Sequence, residues 1–164
     1  FMQIVKVDSS NKHIYMNLAQ AYEAEFSKIM QKKPDADGLF PLDTLIEGNV
    51  SGYLLYVDGV PAGHTAIANE APECYEVCDF YIVPYFRKNK VGKRFISELF
   101  TRLGGSWEIK QVENTDHAVR FWRDVLTDYT AANNVTAGFI EDSYLDKKFG
   151  LVTRQRFSHA IKHV

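Results

Sequence analysis

The sequence of 164 residues has only two cysteines, no large excess of one charge, and no apolar run long enough to cross a membrane. Its 19 Lys and Arg against 21 Asp and Glu give a net charge of −2, so no basic excess attracts it to nucleic acid or anionic membranes. A membrane-spanning helix needs about 18 consecutive apolar residues, and neither such a segment nor a signal-peptide pattern is found. We therefore expect a cytoplasmic protein that binds neither nucleic acid nor membranes.

The two cysteines are Cys74 and Cys78, and both are expected on one strand. A rise of about 3.3 Å per residue then separates them by about 13 Å, whereas a disulfide requires Cα atoms within about 7 Å. An intramolecular bridge is not expected, in agreement with a reducing compartment. A Cys-x3-Cys pair without a nearby pair of histidines is a poor zinc signature, so no metal is expected.

Size and hydrophobic periodicity predict one domain over residues 1–164 in which strands and helices are mixed. Strands are predicted at 2–7, 53–57, 62–69, 73–83, 107–112, 137–141 and 152–158. Helices are predicted at 11–31, 91–103 and 117–126, with a further short helix around 42–47. Asp58-Gly59 between two apolar runs predicts a tight hairpin. Early hairpins followed by a central β-α-β unit indicate an α/β or mixed α+β fold.

The most informative segment is the predicted strand-to-helix junction at 82–93. A helix N-terminus exposes unpaired N–H groups and the positive end of the helix dipole, which together form a site for anions. Gly92 lets the backbone approach a ligand closely. Positive charge is added by Arg87, Lys88, Lys90 and Lys93. The junction predicts a phosphate or pyrophosphate ligand, and a solvated basic loop is the alternative. It lacks the glycines of a Walker A or Gly-x-Gly-x-x-Gly motif.

Residues 84–92 resemble the pyrophosphate loop of the GNAT acetyltransferase superfamily, Arg/Gln-x-x-Gly-x-Gly/Ala, which begins three residues after a strand-closing proline. Here Pro84 precedes Arg87-Lys88-Asn89-Lys90-Val91-Gly92. Lys90 replaces the first glycine, so its N–H must be placed without the freedom of glycine and its side chain must point outward. The resemblance covers about residues 53–157. Helix 15–26 and the run 121–123 are similar to a bacterial branch of predicted acetyltransferases.

The resemblance implies a single GNAT-like domain with a mixed, mostly antiparallel sheet of six to seven strands, splayed middle strands and about four helices. It implies acetyl-CoA as co-substrate, held between strands 73–83 and 107–112. The implied cofactor contacts are the backbone of Tyr81, Ile82 and Val83, the loop residues Arg87, Lys88, Asn89, Lys90, Val91, Gly92 and Lys93, and also Asn114 and Trp122.

Acetyl transfer to an amine requires a base for the amine proton and an N–H donor for the developing oxyanion. Glu76 is the first candidate for the base, because it shares a strand face with Phe80 and Ile82 and matches a catalytic glutamate of some family members. Asp79 on the opposite face is the second candidate. Both carboxylates could instead be solvated strand residues. The oxyanion donor is expected in the backbone near Ile82.

The general acid is less well defined by the sequence. The family often has a tyrosine in the second helix, and the matching position here is Trp122, or Phe121 after a shift of register. Tyr129 is a weaker substitute. Water is the alternative, because a thiol pKa of about 8.5 makes the thiolate a tolerable leaving group.

The acceptor side is the least recognisable part of the sequence. His64 is interpreted as a hydrogen-bonded structural histidine, with a place in the acceptor pocket as the alternative; Tyr15, Tyr22 and Phe26 are interpreted as packing residues. We expect acetyl transfer to a primary amine of a small molecule by direct attack in a ternary complex. The alternatives are a peptide or protein amine as acceptor, or an acyl-CoA-binding sensor or partner domain with little catalysis. The oligomeric state, a homodimer included, is left open.

Overall fold

The structure is a computed structural model that describes residues 1–159. The strands are β1 (Met2–Lys6), β2 (Val50–Val57), β3 (Val60–Ala71), β4 (Cys74–Ile82), β5 (Ser106–Gln111), β6 (Ile140–Asp146) and β7 (Gly150–Ser158). The α-helices are α1 (Lys12–Phe26), α2 (Val91–Leu103) and α3 (Asp116–Ala132), and a short 3-10 helix spans Pro84–Phe86. No helix of the described residues is long and apolar enough to cross a membrane.

All seven strands belong to one sheet with the order β1-β2-β3-β4-β5-β7-β6. The pairs β1–β2, β2–β3, β5–β7 and β6–β7 are antiparallel, whereas β4 and β5 are parallel. The parallel ladder joins residues 74–77 to residues 106–109, and each strand continues beyond it. The predicted mixed, mostly antiparallel sheet is confirmed. Three α-helices and the 3-10 turn accompany it in the described residues, close to the predicted four helices.

The first hairpin forms where Asp58-Gly59 predicts it. Asp58 has φ 50° and Gly59 φ 79°, so both central residues are left-handed, as the turn that matches the twist of paired strands requires. Val57 and Val60 pair directly across it. Local turn chemistry therefore sets the pairing next to the turn, and a bulge between Leu55 and Tyr56 shifts the register of β2 and β3 beyond it.

One compact unit contains residues 1–68 and 78–95. In it, α1 packs on β2 through a core of Tyr15, Ala19 and Leu54. Gly63 on β3 allows a close approach to β4, because a Cβ there would lie 2.5 Å from the carbonyl oxygen of Tyr81. Any larger residue at position 63 would push the end of β4 away.

The second compact unit contains residues 69–77 and the chain from Ile96 onward. Its core is aromatic. Phe100 of α2 meets the rings of Trp107, Tyr129 and Phe157 edge to face, with centroids 4.8, 5.1 and 5.0 Å away. Cys74 and Cys78 lie along β4, and neither forms a disulfide bond within residues 1–159.

Several predicted boundaries were wrong. Helix α1 ends at Phe26 rather than at residue 31, because the Ser27 hydroxyl donates to the Ala24 carbonyl and competes with helix continuation. No helix forms at 42–47, where Leu42 and Ile46 pack against the core of α1 and β2, and Thr44 donates a hydrogen bond to Asp79 of β4. Helix α3 runs on to Ala132, and β6 begins only at Ile140.

Candidate functional site

The junction between β4 and α2 has an unusual backbone. The 3-10 turn at Pro84–Phe86 follows β4, and Asn89 and Lys90 then adopt φ 55° and 56° before α2 begins at Val91. Lys90 thus has a left-handed conformation, which the glycine at this position of the GNAT motif would adopt without strain. Its side chain is exposed.

The N–H groups of this loop divide into two sets. Those of Arg87 and Val91 donate to Pro84 and Lys88 carbonyls at 3.1 and 3.2 Å and so close the turns. Those of Asn89, Lys90 and Gly92 donate to no other group within residues 1–159. Three unpaired N–H groups at the start of α2, in a field of basic side chains, fit an anionic pyrophosphate.

The Arg87 side chain is held from both sides. Its Nη1 and Nη2 donate to Glu25 at 2.7 and 2.6 Å, and its Nε donates to the Ile82 carbonyl at 2.8 Å. Its guanidinium also lies over the Tyr81 ring, 5.7 Å from the centroid. The Glu25 carboxylate raises the pKa of Arg87. The side chain of Arg87 therefore links α1 to the end of β4.

The other predicted loop residues differ in exposure. Lys88 lies over the Tyr85 ring, 4.6 Å from the centroid. Val91 is buried, so only its backbone faces the loop.

The edge of β4 near Ile82 offers a backbone donor. The Val83 N–H donates to the Ala62 carbonyl at 2.8 Å, so it faces β3. Because hydrogen-bonding directions alternate along a strand, the Ile82 N–H faces the opposite edge. Of the three predicted backbone contacts, Ile82 is the residue whose N–H points away from β3.

Asp79 is a buried carboxyl on the other face of β4 from Glu76. Its side chain is 8% exposed and accepts a hydrogen bond from the Thr44 hydroxyl at 3.2 Å. Burial raises the pKa of Asp79 to about 7, with further increases from the charges of Glu23 and Asp43. The carboxyl is therefore close to half-ionised at neutral pH.

An aromatic cluster of Tyr15, Tyr22, His64 and Tyr81 lies within the same unit as Asp79. The His64 ring is 4.7 Å from Tyr15, 5.7 Å from Tyr22 and 5.8 Å from Tyr81, measured between centroids. Tyr15 and His64 are fully buried. Tyr15 and Tyr22 thus pack in an aromatic group that includes a histidine.

The predicted hydrogen bonding of His64 is limited to a contact with the Leu18 backbone. Among the described residues, neither ring nitrogen of His64 nor the Tyr15 hydroxyl has a hydrogen-bond partner of good geometry. Burial lowers the pKa of His64 to about 4, although the nearby Leu18 backbone opposes the shift, so the ring is neutral at pH 7. Buried polar atoms are normally paired, so these three atoms require an explanation.

The acidic residues around Asp79 share one cation. Lys32 Nζ lies 2.6 Å from Glu23 and 3.2 Å from Asp43, and it donates to the Pro41 carbonyl at 2.6 Å. Asp79 has no ion pair in the part of the chain that the structure describes. Sequence reasoning missed this group, because residues 32–47 show no periodicity that places their side chains.

Glu76, the first predicted base, has a cationic partner. Lys110 Nζ of β5 lies 3.3 Å from its carboxylate, and the pairing register sets Glu76 opposite Glu108. Burial raises the pKa of Glu76, while Lys110 lowers it. Phe80, four residues further along β4, packs its ring 5.7 Å from that of Phe95 in α2.

The remaining predicted residues lie in the second unit. The Tyr129 hydroxyl is 2.7 Å from His159 Nε2 and 3.1 Å from the Thr101 hydroxyl, and the ring is buried. Trp122 is buried in α3, whereas Asn114 is exposed with φ 65° in the turn before α3. The contacts of Tyr129 favour a packing role, and its role as a general acid stays a prediction.

Solved structures share this fold at low sequence identity. The ribosomal-protein-S18-alanine N-acetyltransferase from Escherichia coli matches with TM-score 0.64 and 10% identity over 99% of this chain and 97% of that one. An acetyltransferase from Bacillus subtilis in complex with CoA matches with TM-score 0.58 and 11% identity over 96% and 99%. A spermidine N-acetyltransferase chimera from Vibrio cholerae matches with TM-score 0.62 and 12% identity over 96% and 95%. A comparison with curated protein sequences gives no match.

A family model decides the assignment. The model of the acetyltransferase (GNAT) family matches residues 15–126, which include most of α1, the β4 edge, the basic loop and the first part of α3. The match covers well over half of the chain, and the unpaired N–H groups of the loop fit the pyrophosphate of CoA. The chain therefore belongs to the GNAT acetyltransferase family, with acetyl-CoA as its acyl donor.

Proposed function

We propose that the protein transfers an acetyl group to a primary amine of a small molecule by direct attack in a ternary complex, with Asp79 as the general base. The observation that carries this proposal is the buried carboxyl of Asp79, which has no ion pair within residues 1–159 and whose pKa is raised to about 7. A general base works best when its pKa lies near the operating pH. Such a carboxyl beside neutral aromatic rings is suited to receive a proton from an ammonium group.

The donor would be held by the loop and the β4 edge. The N–H groups of Asn89, Lys90 and Gly92 would bind the pyrophosphate, and the Ile82 N–H would serve the pantetheine arm or the developing oxyanion. When bound, acetyl-CoA supplies an activated acetyl group. Asn114, Trp122 and the side chains of Lys88 and Lys93 stay predicted contacts.

The choice of Asp79 over Glu76 rests on their partners. Burial raises the pKa of Glu76, but Lys110, 3.3 Å away, stabilises the ionised carboxylate and opposes that rise. Within residues 1–159, Asp79 has no ion pair, and its carboxyl accepts a hydrogen bond from the Thr44 hydroxyl. Glu76 remains the second candidate and supplies a matched control on the same strand.

No side chain is required as the general acid in this proposal. The Tyr129 hydroxyl already contacts Thr101 and His159, so we assign it to packing. Water is then the proton source for the thiolate, whose conjugate acid has a pKa of about 8.5.

The relatives leave the acceptor open. By their names, one acts on an alanine of ribosomal protein S18 and another on spermidine, so both protein and small-molecule amines occur on this fold. The small-molecule proposal rests on burial: with Asp79 only 8% exposed, a compact amine reaches it more readily than a folded protein.

The first experiment is calorimetry with acetyl-CoA and CoA. We expect binding in the micromolar range, reduced strongly by Gly92→Asp, which would add a negative charge to the loop. A wild-type protein that binds neither ligand would rule out both the enzyme and an acyl-CoA sensor.

The second experiment measures thiol release with a panel of amines. Asp79→Asn should lower kcat by about 100-fold or more while acetyl-CoA affinity stays unchanged. Glu76→Gln is the matched control and should have the smaller effect. Binding of acetyl-CoA without turnover on any amine would favour the sensor function instead.

A further inference from the structure

Resting on the proposed function, we infer that the acceptor enters as an ammonium ion and carries no carboxylate near its reactive amine. The acceptor site assigned here is the aromatic cluster together with Asp79 and Glu23. The enzyme would therefore accept simple amines and reject the amino acids that differ from them only by a carboxylate.

The first unit holds more negative than positive charge near Asp79. Glu23 and Asp43 contact the ammonium of Lys32, and the charges of all three residues act on the Asp79 carboxyl. Lys32 already contacts Glu23, Asp43 and the Pro41 carbonyl. A positively charged ligand would complete this group, whereas a second anion would be repelled.

The guanidinium of Arg87 is likewise already paired with other groups of the protein. All three kinds of guanidinium nitrogen of Arg87 donate, two to Glu25 and one to the Ile82 carbonyl. A carboxylate on the acceptor would have to displace Glu25 to reach it. Neither Lys32 nor Arg87 therefore offers a free partner to an acidic substrate.

The buried polar atoms of the cluster favour the same ligand. Among the described residues, the Tyr15 hydroxyl and both His64 nitrogens are buried without a hydrogen bond of good geometry, and the Leu18 backbone lies near the histidine ring. Burial raises the pKa of both Tyr15 and Tyr22, and the charge of Asp79 raises it further. A hydroxyl oxygen and a neutral imidazole nitrogen can each accept a hydrogen bond from an ammonium group.

The rings themselves suit the same ligand. Tyrosine faces attract ammonium groups through cation–π interactions. His64, which is neutral at pH 7, adds no repulsion. The site thus favours a positively charged ligand through its carboxylates, its hydrogen-bond acceptors and its aromatic faces.

The test uses acceptor pairs that differ only by a carboxylate. Phenethylamine is compared with phenylalanine and tyramine with tyrosine, by kcat/KM in thiol release. We expect the amine of each pair to be favoured by at least about 100-fold, because like charges at a binding site cost several kcal/mol. Phenylalaninamide is the size control, and it should behave as the amine does, since it lacks the negative charge.

A variant separates recognition from structure. Tyr15→Phe removes a hydroxyl that has no partner, so the melting temperature should not fall. The KM for the amine should rise, while calorimetric affinity for acetyl-CoA should not change. A loss of stability with an unchanged amine KM would assign that hydroxyl to folding and overturn its role in recognition.

The outcomes distinguish this inference from the proposed function. If amines and their amino acids are acetylated equally well, the enzyme stands and the inference is wrong. If phenylalaninamide is rejected like phenylalanine, size rather than charge controls selection and the inference is again wrong. If no amine is acetylated by protein that binds acetyl-CoA, the proposed function fails and the inference with it.

Discussion

Arg87 and Glu25 form a two-point ion pair, with Nη1 2.7 Å and Nη2 2.6 Å from the two carboxylate oxygens. Arg87 is the first residue of the cofactor loop and Glu25 lies near the end of α1. The Nε of the same guanidinium binds the Ile82 carbonyl at the end of β4. The arginine that the family motif assigns to the donor is thus also a structural link to the helix that carries Tyr22 and Glu23.

The first prediction concerns this link. Glu25→Gln should raise the KM for the amine by up to about fivefold, because a partly exposed ion pair contributes at most about 1 kcal/mol. The KM for acetyl-CoA should change little, since the loop N–H groups remain. Steady-state kinetics with each substrate varied in turn provides the measurement.

Glu98→Gln is the matched control for that variant. Glu98 pairs with Arg102 at 3.1 Å within α2, and both side chains are about half exposed. Its loss should affect neither KM. A rise in the acetyl-CoA KM alone for Glu25→Gln would instead assign the Arg87 side chain to the donor.

The second prediction concerns the left-handed conformation of Lys90. Lys90→Gly should be more stable than Lys90→Ala by about 1 kcal/mol, because glycine adopts φ 56° without the steric cost of a Cβ. Both variants lose the same charge, so their difference isolates the backbone. Chemical denaturation measures stability and calorimetry measures acetyl-CoA affinity. Equal stability of the two variants would contradict a positive φ at this position.

The third prediction concerns the pH dependence of catalysis. If Asp79 is the base, kcat should rise with pH through about 7 and level off above it, because the carboxyl must be ionised to accept a proton. Asp79→Asn should remove this limb together with most of the activity. Glu76→Gln should keep the limb near 7. A wild-type profile whose limb persists in Asp79→Asn would exclude Asp79 as its origin.

The sequence predicts those elements whose information is local. Asp58-Gly59 specifies a turn through backbone preferences, and the run 91–103 shows helical periodicity, so both are found as predicted. The anion-binding character of the loop is also local, since it arises from a strand end and a helix start. The partners of Arg87 were missed, because Glu25 is far away along the chain and no pattern joins the two.

The acceptor side depends on contacts distant in sequence. Burial raises the pKa of Asp79, and the hydrogen bond from Thr44 lowers it. The alternating pattern of β4 predicts neither effect. The choice of Glu76 followed the alternation of β4, but Lys110 becomes its partner only through the parallel register of β4 and β5. Residues that decide chemistry here were brought together by the fold rather than by spacing.

The fourth prediction follows from the same raised pKa and concerns stability. In the unfolded chain Asp79 should titrate near its ordinary value of 3.8, whereas in the folded protein it titrates near 7. Between these values the folded state binds more protons than the unfolded state, so the contribution of Asp79 to the free energy of unfolding falls as pH rises. Asp79→Asn cannot ionise and escapes this loss. It should therefore gain stability relative to wild type between pH 5 and pH 8, by on the order of 2 kcal/mol.

Urea denaturation of both proteins at pH 5 and pH 8 measures that difference. Thr44→Val serves as the control for the hydrogen bond alone, because it removes the Thr44 hydroxyl and keeps the carboxyl. That variant should raise the pKa of Asp79 further and enlarge the loss of stability at pH 8. If Asp79→Asn and wild type differ in stability by the same amount at both pH values, the pKa of the carboxyl is not raised by folding. Asp79 would then not be the general base that accounts for activity at neutral pH.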